Sequence, residues 1–269
     1  MMNLPNYLKD IRQRGRRHFT LEELMSDLCL SKSAALTAIH RLKVHGDLIS
    51  PARGLYVIVP PEHQLQGSIP PEDLVPILMS YLQADYYVAL LSAAMYHGAA
   101  HQKPGRFQVI SNKRVKHPLE FGQIKIELVY KKSLTGLPIK NVTVSTGYLK
   151  VATPELTVMD MLLYQAKSGG LNHIATVLSE LIEVIDADKL VELAKISGAK
   201  AWVQRLGYIL EKIESMEPDK AKSIINLLEQ YLSDKMKIFI PLAPEITKIN
   251  YPRIKKWMII ENTNFESDL

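Results

Sequence analysis

The stretch from Thr20 to Gly46, TLEELMSDLCLSKSAALTAIHRLKVHG, decides the fold of the N-terminal part of this 269-residue chain. Thr20 is a good N-cap, and Glu22 and Glu23 follow it where carboxylates complement the positive end of a helix. This predicts a helix over 21–28. Cys29-Leu30 is a short apolar connection, in which the lone cysteine reads as a buried structural residue rather than a nucleophile. Ser31 then caps a helix that runs to about His45 and stops at Gly46. Leu30 and Ala35 are spaced as a hydrophobic staple. At about 100° per residue, Ala35, Ala38, Ile39 and Leu42 share one core-facing stripe. Ser33, Thr37 and His40 lie opposite, with Arg41 beside them and Val44 on the same outward face.

The flanks complete the unit. Pro5–Gln13 reads as a first helix with proline near its start. Ile49–Val59 alternates and is broken by Pro51-Ala52-Arg53-Gly54, a β-hairpin pattern. Three helices and a hairpin make a winged helix-turn-helix over residues 1–60. Paired prolines at 60–61 and 70–71 bracket a polar stretch, giving a linker over 61–71. Residues 72–269 form the second domain. Helices are expected at 72–82 and 86–97, then β-type runs at 107–110, 123–130, 142–146 and 148–152. Thr153-Pro154-Glu155 opens a helix to about Gln165. Further helices are expected at 171–185, 187–196, 201–213 and 218–232, and late strands at 237–240 and 257–260. The fold class is therefore α+β: an N-terminal winged helix-turn-helix, then a larger mixed α/β domain with a helix-rich C-terminal half.

Composition excludes several classes. With 47% apolar residues, 13 Gly and 15 Pro, the chain is neither disordered nor collagen-like. One cysteine forms no internal disulfide, which fits a reducing compartment and a cytoplasmic location. No apolar run is long enough to span a membrane, and the Arg-bearing N-terminus lacks the apolar core of a secretory signal. The net charge of +5 conceals a segregation: +4 over 1–60, −4 over 61–100, +8 over 101–150 and −3 beyond. Two basic blocks separated by an acidic one fit a polyanion partner, although uneven surface charge alone also produces such a pattern.

The outward face of the third helix carries the short polar and basic side chains that reach base edges and phosphates in a major groove. The candidate DNA-binding residues are Ser31, Lys32, Ser33, Thr37, His40, Arg41, Arg53 at the hairpin tip, and Arg16 and Arg17 ahead of the second helix. Double-stranded DNA is the expected partner, bound by two copies if the operator is a palindrome. The rival reading is a protein-interaction module with an ordinary polar surface. Lys113, Arg114, Lys116, Lys131 and Lys132 form a possible second basic surface.

Catalytic patterns are weak. Glu120, Lys125 and Glu127 surround one strand, but the Glu-x-Lys spacing of a metal-dependent nuclease is missing. His97 and His101 are four apart, yet no glutamate follows His97 and no third metal ligand is apparent, so capping or packing is expected of them. Neither phosphate-binding glycine loops nor a nucleophile elbow occur. No catalytic residue, metal or cofactor is expected, and the chain does not read as an enzyme.

The stretch YYVALLSAAMYHGAAHQ at 86–102, then FQVI at 107–110, resembles the signature of AbiEi-type antitoxins, as does ATPELTVMDML at 152–162. A winged helix ahead of both completes the likeness, which runs from about Tyr7 to Leu232. The last ~35 residues match nothing in it. The resemblance implies a type IV antitoxin, encoded beside a nucleotidyltransferase-like toxin and acting in abortive infection, a form of phage defence. In such a protein the winged helix represses the shared promoter at inverted repeats and the C-terminal domain neutralises the toxin, without need of a stable complex. A second reading remains open: a solitary winged-helix regulator whose C-terminal domain senses a ligand.

Overall fold

A computed structural model of the chain describes residues 4–99, 104–115, 117, 119–214, 217–233 and 238–266. The architecture is mixed α/β. The chain groups into two compact units. The first comprises Met1–Tyr86, Gly105–Ser133 and Asn141–Lys150, and the second Tyr87–Pro104, Leu134–Lys140 and Val151–Leu269.

The first unit begins with α1 (Leu4–Gln13), β1 (His18–Thr20), α2 (Leu21–Leu28), α3 (Lys32–Val44), β2 (Leu48–Ala52) and β3 (Leu55–Ile58). The strands form an antiparallel sheet in the order β1-β3-β2. The β2–β3 register shifts between Ile49 and Ala52, where Pro51 has no N–H to give the ladder. Gly54 closes the hairpin at φ +84°, a conformation that a side chain would strain. Beneath the sheet, Tyr7, Ile11, Leu24, Ala35 and Ile39 pack with Phe19, Leu48, Tyr56 and Ile58. The Phe19 ring stacks on Tyr56 at 5.6 Å and meets Tyr7 edge-on at 5.7 Å.

Both expected caps form. The Thr20 N–H donates to Glu23 Oε2 at 2.7 Å and the Glu23 N–H donates to Thr20 Oγ1 at 3.1 Å, a reciprocal capping box. Leu30 and Ala35 both pack in the core expected of the staple. Cys29 corrects the sequence reading: it is exposed, not buried. It caps the C-terminus of α2 in the left-handed conformation, its N–H turned back to Met25 and Ser26 carbonyls.

A 3-10 helix of about two turns occupies Pro61–Gln66, within the stretch expected as linker. Its end touches Gly122, where an added Cβ would lie 2.1 Å from Gln66 O, so no side chain fits there. Next come α4 (Pro71–Tyr81), β4 (Tyr86–Val88) and α5 (Leu90–Tyr96). Here the expected helix over 86–97 is corrected. Its first residues, Tyr-Tyr-Val, are aromatic and β-branched and form a strand. Leu90, at φ +54°, then turns the chain into a shorter helix. Further on are β5 (Phe107–Ser111), β6 (Leu119–Phe121), β7 (Ile124–Tyr130), β8 (Ile139–Val144) and β9 (Gly147–Ala152). In the first unit β5 runs parallel to β7, with Phe107 opposite Ile126, and β6 lies antiparallel on the other edge of β7.

The second unit is mainly helical: α6 (Pro154–Leu163), a 3-10 turn at Gln165–Ser168, α7 (Gly170–Leu181), α8 (Ala187–Ser197), α9 (Lys200–Leu210) and α10 (Pro218–Leu232). Its strands include a parallel pairing of Val88 with Val151. Helix α6 is buried along nearly its whole length because it packs against α5, α7, α8 and α9. The helix expected over 171–185 ends at Leu181. Glu155 Oε1 accepts the Asp186 N–H at 2.9 Å, and Asp186 caps α8, so the chain is turned there.

The last segment holds β10 (Ile240–Pro241), β11 (Arg253–Ile254) and β12 (Ile259–Ile260), a small sheet with β12 in the middle. It is fastened to α9. Gln204 Nε2 donates to Trp257 O at 3.0 Å, and the buried Arg205 guanidinium donates to the carbonyls of Pro241 and Leu242 at 3.1 Å. Trp257 is fully buried against Gly207, and its Nε1 donates to Glu211 Oε2 at 2.7 Å. Among the described residues, no helix is long and apolar enough to cross a membrane.

Candidate nucleic-acid interface

Helix α3 sets the outward face. Ala35 and Ile39 anchor it to the core, which leaves Lys32, Ser33, Thr37, His40 and Arg41 exposed together. Ser31 Oγ accepts the Ala34 N–H at 3.3 Å, so this hydroxyl is engaged in holding the helix start. Thr37 Oγ1 donates back to Ser33 O at 3.0 Å and so presents only its acceptor lone pairs and methyl group. Lys32 and Arg41 make no ion pair among the described residues. Val44 ends the stripe at 70% exposure, an apolar group unused by the fold.

Arg53 is exposed at the hairpin tip, beside Gly54. Its carbonyl accepts the Tyr81 hydroxyl at 2.8 Å, which fixes the tip against α4. Sequence reasoning missed this partner, because a residue in a later helix carries no local mark of a loop contact.

Arg16 and Arg17 are differently placed. Arg16 Nη2 donates to both carboxylate oxygens of Glu23, at 2.9 and 3.1 Å. Burial works to raise the Glu23 pKa, but the Thr20 N–H and the Arg16 guanidinium outweigh it and hold the carboxyl below its ordinary value. Burial and the same Arg16 charge push His18 below the usual histidine range. Arg17 is half-buried, with Asp73 Oδ2 3.9 Å from its guanidinium.

The second basic group is dispersed in role. Lys113 Nζ donates to Leu82 O at 2.7 Å, at the end of α4. The Arg114 guanidinium lies 4.4 Å over the Tyr130 ring. Lys132 is exposed and Lys131 half-buried, whereas Lys116 lies outside the described residues.

The residues weighed for catalysis have other partners. Glu120 pairs with Arg106 at 3.3 Å, and Glu127 accepts the Gln108 amide at 3.2 Å. His97 Nε2 meets Ala152 O at 2.8 Å and must donate to it, since a carbonyl only accepts. Its Nδ1 then accepts from Lys140 Nζ at 3.3 Å. His101 lies outside the described residues. Among those described, no group of three His, Cys, Asp or Glu side chains is placed to hold a metal.

The two internal sequence motifs meet in the second unit. Tyr87, from the first, donates its hydroxyl to Asp160, from the second, at 2.8 Å. Both are buried, and burial with the nearby carboxylate drives the Tyr87 pKa far upward, so the phenol stays protonated.

Comparison with known proteins bears on this unit. The family model of the AbiEi antitoxin C-terminal domain matches residues 87–212. No curated protein matches the chain. Among solved structures, the RV2827C protein from Mycobacterium tuberculosis superposes with a TM-score of 0.66 at 16% identity, over 94% of this chain and 89% of that one. At that identity the likeness is one of fold. An antigenic nucleotidyltransferase-like protein from Paracoccidioides brasiliensis gives a TM-score of only 0.31 at 10% identity, over 61% of this chain and 87% of that one.

Proposed function

We propose that this protein is the antitoxin of a type IV toxin–antitoxin pair and the repressor of its own promoter, a reading supported by the match of residues 87–212 to the AbiEi antitoxin C-terminal domain model. In this reading residues 1–60 are a winged helix-turn-helix, 61–71 connect, and 72–269 carry the antitoxin activity. The partner toxin is nucleotidyltransferase-like, the protein acts in the cytoplasm as part of phage defence, and it has no enzymatic activity of its own.

The observation that carries the DNA-binding half is the α3 stripe. Lys32, Ser33, His40 and Arg41 stand exposed on one helix whose opposite face is locked into the core. Their positions suit the major groove, and Arg53 on the fixed hairpin tip suits a minor-groove or phosphate contact. Arg16 and Arg17 contribute field to the phosphate backbone while held by Glu23 and Asp73. Two copies on an inverted repeat follow from the usual symmetry of such operators.

Two measurements test the proposal. Arg41→Ala and Arg53→Ala should each weaken binding to the DNA upstream of the gene by about 1–3 kcal/mol, with the fold intact. Unchanged affinity in both variants would remove α3 and the hairpin from the interface. Growth rescue on co-expression with a neighbouring nucleotidyltransferase-like protein tests the antitoxin half, and absence of rescue would overturn it.

A further inference from the structure

The first unit contains a cavity of about 330 Å³, of whose arginines the DNA-binding reading draws on Arg16 and Arg17 but leaves Arg12 unused. Arg12, Gly15, Arg16, Arg17, Ile58, Pro60 and Ser145 line it. Every polar side chain in that wall is a hydrogen-bond donor or a hydroxyl, and none is a carboxylate. A complementary ligand must therefore be rich in acceptors and negatively charged.

The arginines are not equivalent. Of those at 12, 14, 16 and 17, Arg14 pairs with Asp10 at 2.8 Å, Arg16 with Glu23, and Arg17 approaches Asp73. Arg12 has no ion-pair partner among the described residues. Arg16 is thus engaged by Glu23 and Arg17 lies near Asp73, and Arg12 supplies the cation without an ion-pair partner among the described residues. Asp73 also bears on another lining residue, since Thr146 Oγ1 donates to its carbonyl at 3.1 Å and so seats the turn that carries Ser145. Fixed guanidinium groups are suited to bind phosphate oxygens. The rest of the wall, Ile58 and Pro60, is apolar, and the volume lies within the range of small-molecule sites, about 300–1,000 Å³.

We propose that this cavity binds a phosphate monoester carried by a small organic molecule, with Arg12 as the determining cation and Arg16, Arg17 and the Ser145 hydroxyl as supporting donors. The proposal stands independently of the antitoxin reading.

Calorimetric titration of the full chain tests it, using inorganic phosphate, AMP and glucose 6-phosphate as probes, with adenosine and glucose as uncharged controls. At least one of the two phosphate monoesters should bind, more tightly than inorganic phosphate and with no signal from its uncharged control. Arg12→Ala should weaken that binding tenfold or more, and Ser145→Glu, which puts an acid on an exposed wall position, should do the same. Arg14→Ala, outside the cavity, should leave it unchanged. Thermal melting establishes that each variant is folded. Equal weakening by Arg14→Ala would reduce the effect to general surface charge and overturn the proposal. So would a lack of binding by either monoester. If Arg12→Ala lowers affinity for DNA but not for the probes, the cavity takes a backbone phosphate and the small-molecule site is refuted.

Discussion

Tyr87 donates a hydrogen bond to Asp160 across a gap of 73 residues, and both side chains are closed off from solvent. The sequence motifs at 86–102 and 152–162 are thus joined by a buried structural contact.

Removing the hydroxyl tests that contact. Tyr87→Phe keeps the ring and strips one donor from a buried carboxylate, so it should cost about 1–3 kcal/mol in denaturant unfolding. Under the proposed antitoxin reading, neutralisation should fall only in proportion to the folded fraction. A variant of wild-type stability would mean that Asp160 is fully served by its other interactions.

Histidine 97 supplies a pH dependence. Burial, foremost, and the Lys140 charge hold its pKa below the ordinary 6.5, against the pull of Ala152 and Glu155. As pH falls below about 6.5, the unfolded chain takes up the proton first. This contribution to stability is therefore complete above that pH and is lost progressively below it. His18 is shifted in the same direction by its own burial and by Arg16. The melting temperature should fall from pH 6.5 towards pH 5, and His97→Asn should make that slope shallower. An unchanged slope would show that His97 titrates alike in both states.

The final segment gives a third test. A Cβ on Gly207 would come within 2.2 Å of the Trp257 ring, so Gly207→Ala should destabilise by about 1–3 kcal/mol through overpacking. Trp257→Ala leaves the opposite defect, a void, at about 3–5 kcal/mol. Combining the two should cost less than the sum, because the alanine methyl then enters vacated space. Strict additivity in denaturant melts would contradict the packing.

Local chemistry was readable wherever one residue determined its neighbours. Thr20, Ser31 and Thr153 cap the helices that their side chains predict, and Pro154 and Pro218 start theirs. The hairpin at Gly54 and the core stripe of α3 followed from turn chemistry and period. Tyr86–Val88 did not, because a short apolar run gives strand and helix the same signature until Leu90 breaks it. The exposure of Cys29 is hidden from the sequence for a related reason: apolar neighbours do not show that the backbone turns left-handed there.

The exposure of the candidate α3 residues was legible in the sequence, but the side-chain pairings around the candidate site were not. Arg16 with Glu23 and Lys113 with Leu82 O join residues at non-helical or long separations, and no periodicity carries such information. The last strands are two residues each and depend on contacts with α9.

That dependence has a consequence during synthesis. The family match stops at residue 212, but the surface of α9 beneath Trp257 stays uncovered until residues up to 257 have left the ribosome. At roughly 5–20 residues per second, the nascent domain exposes that apolar face around Gly207 for several seconds. During that interval it is open to chaperones and to aggregation in a way the finished protein is not.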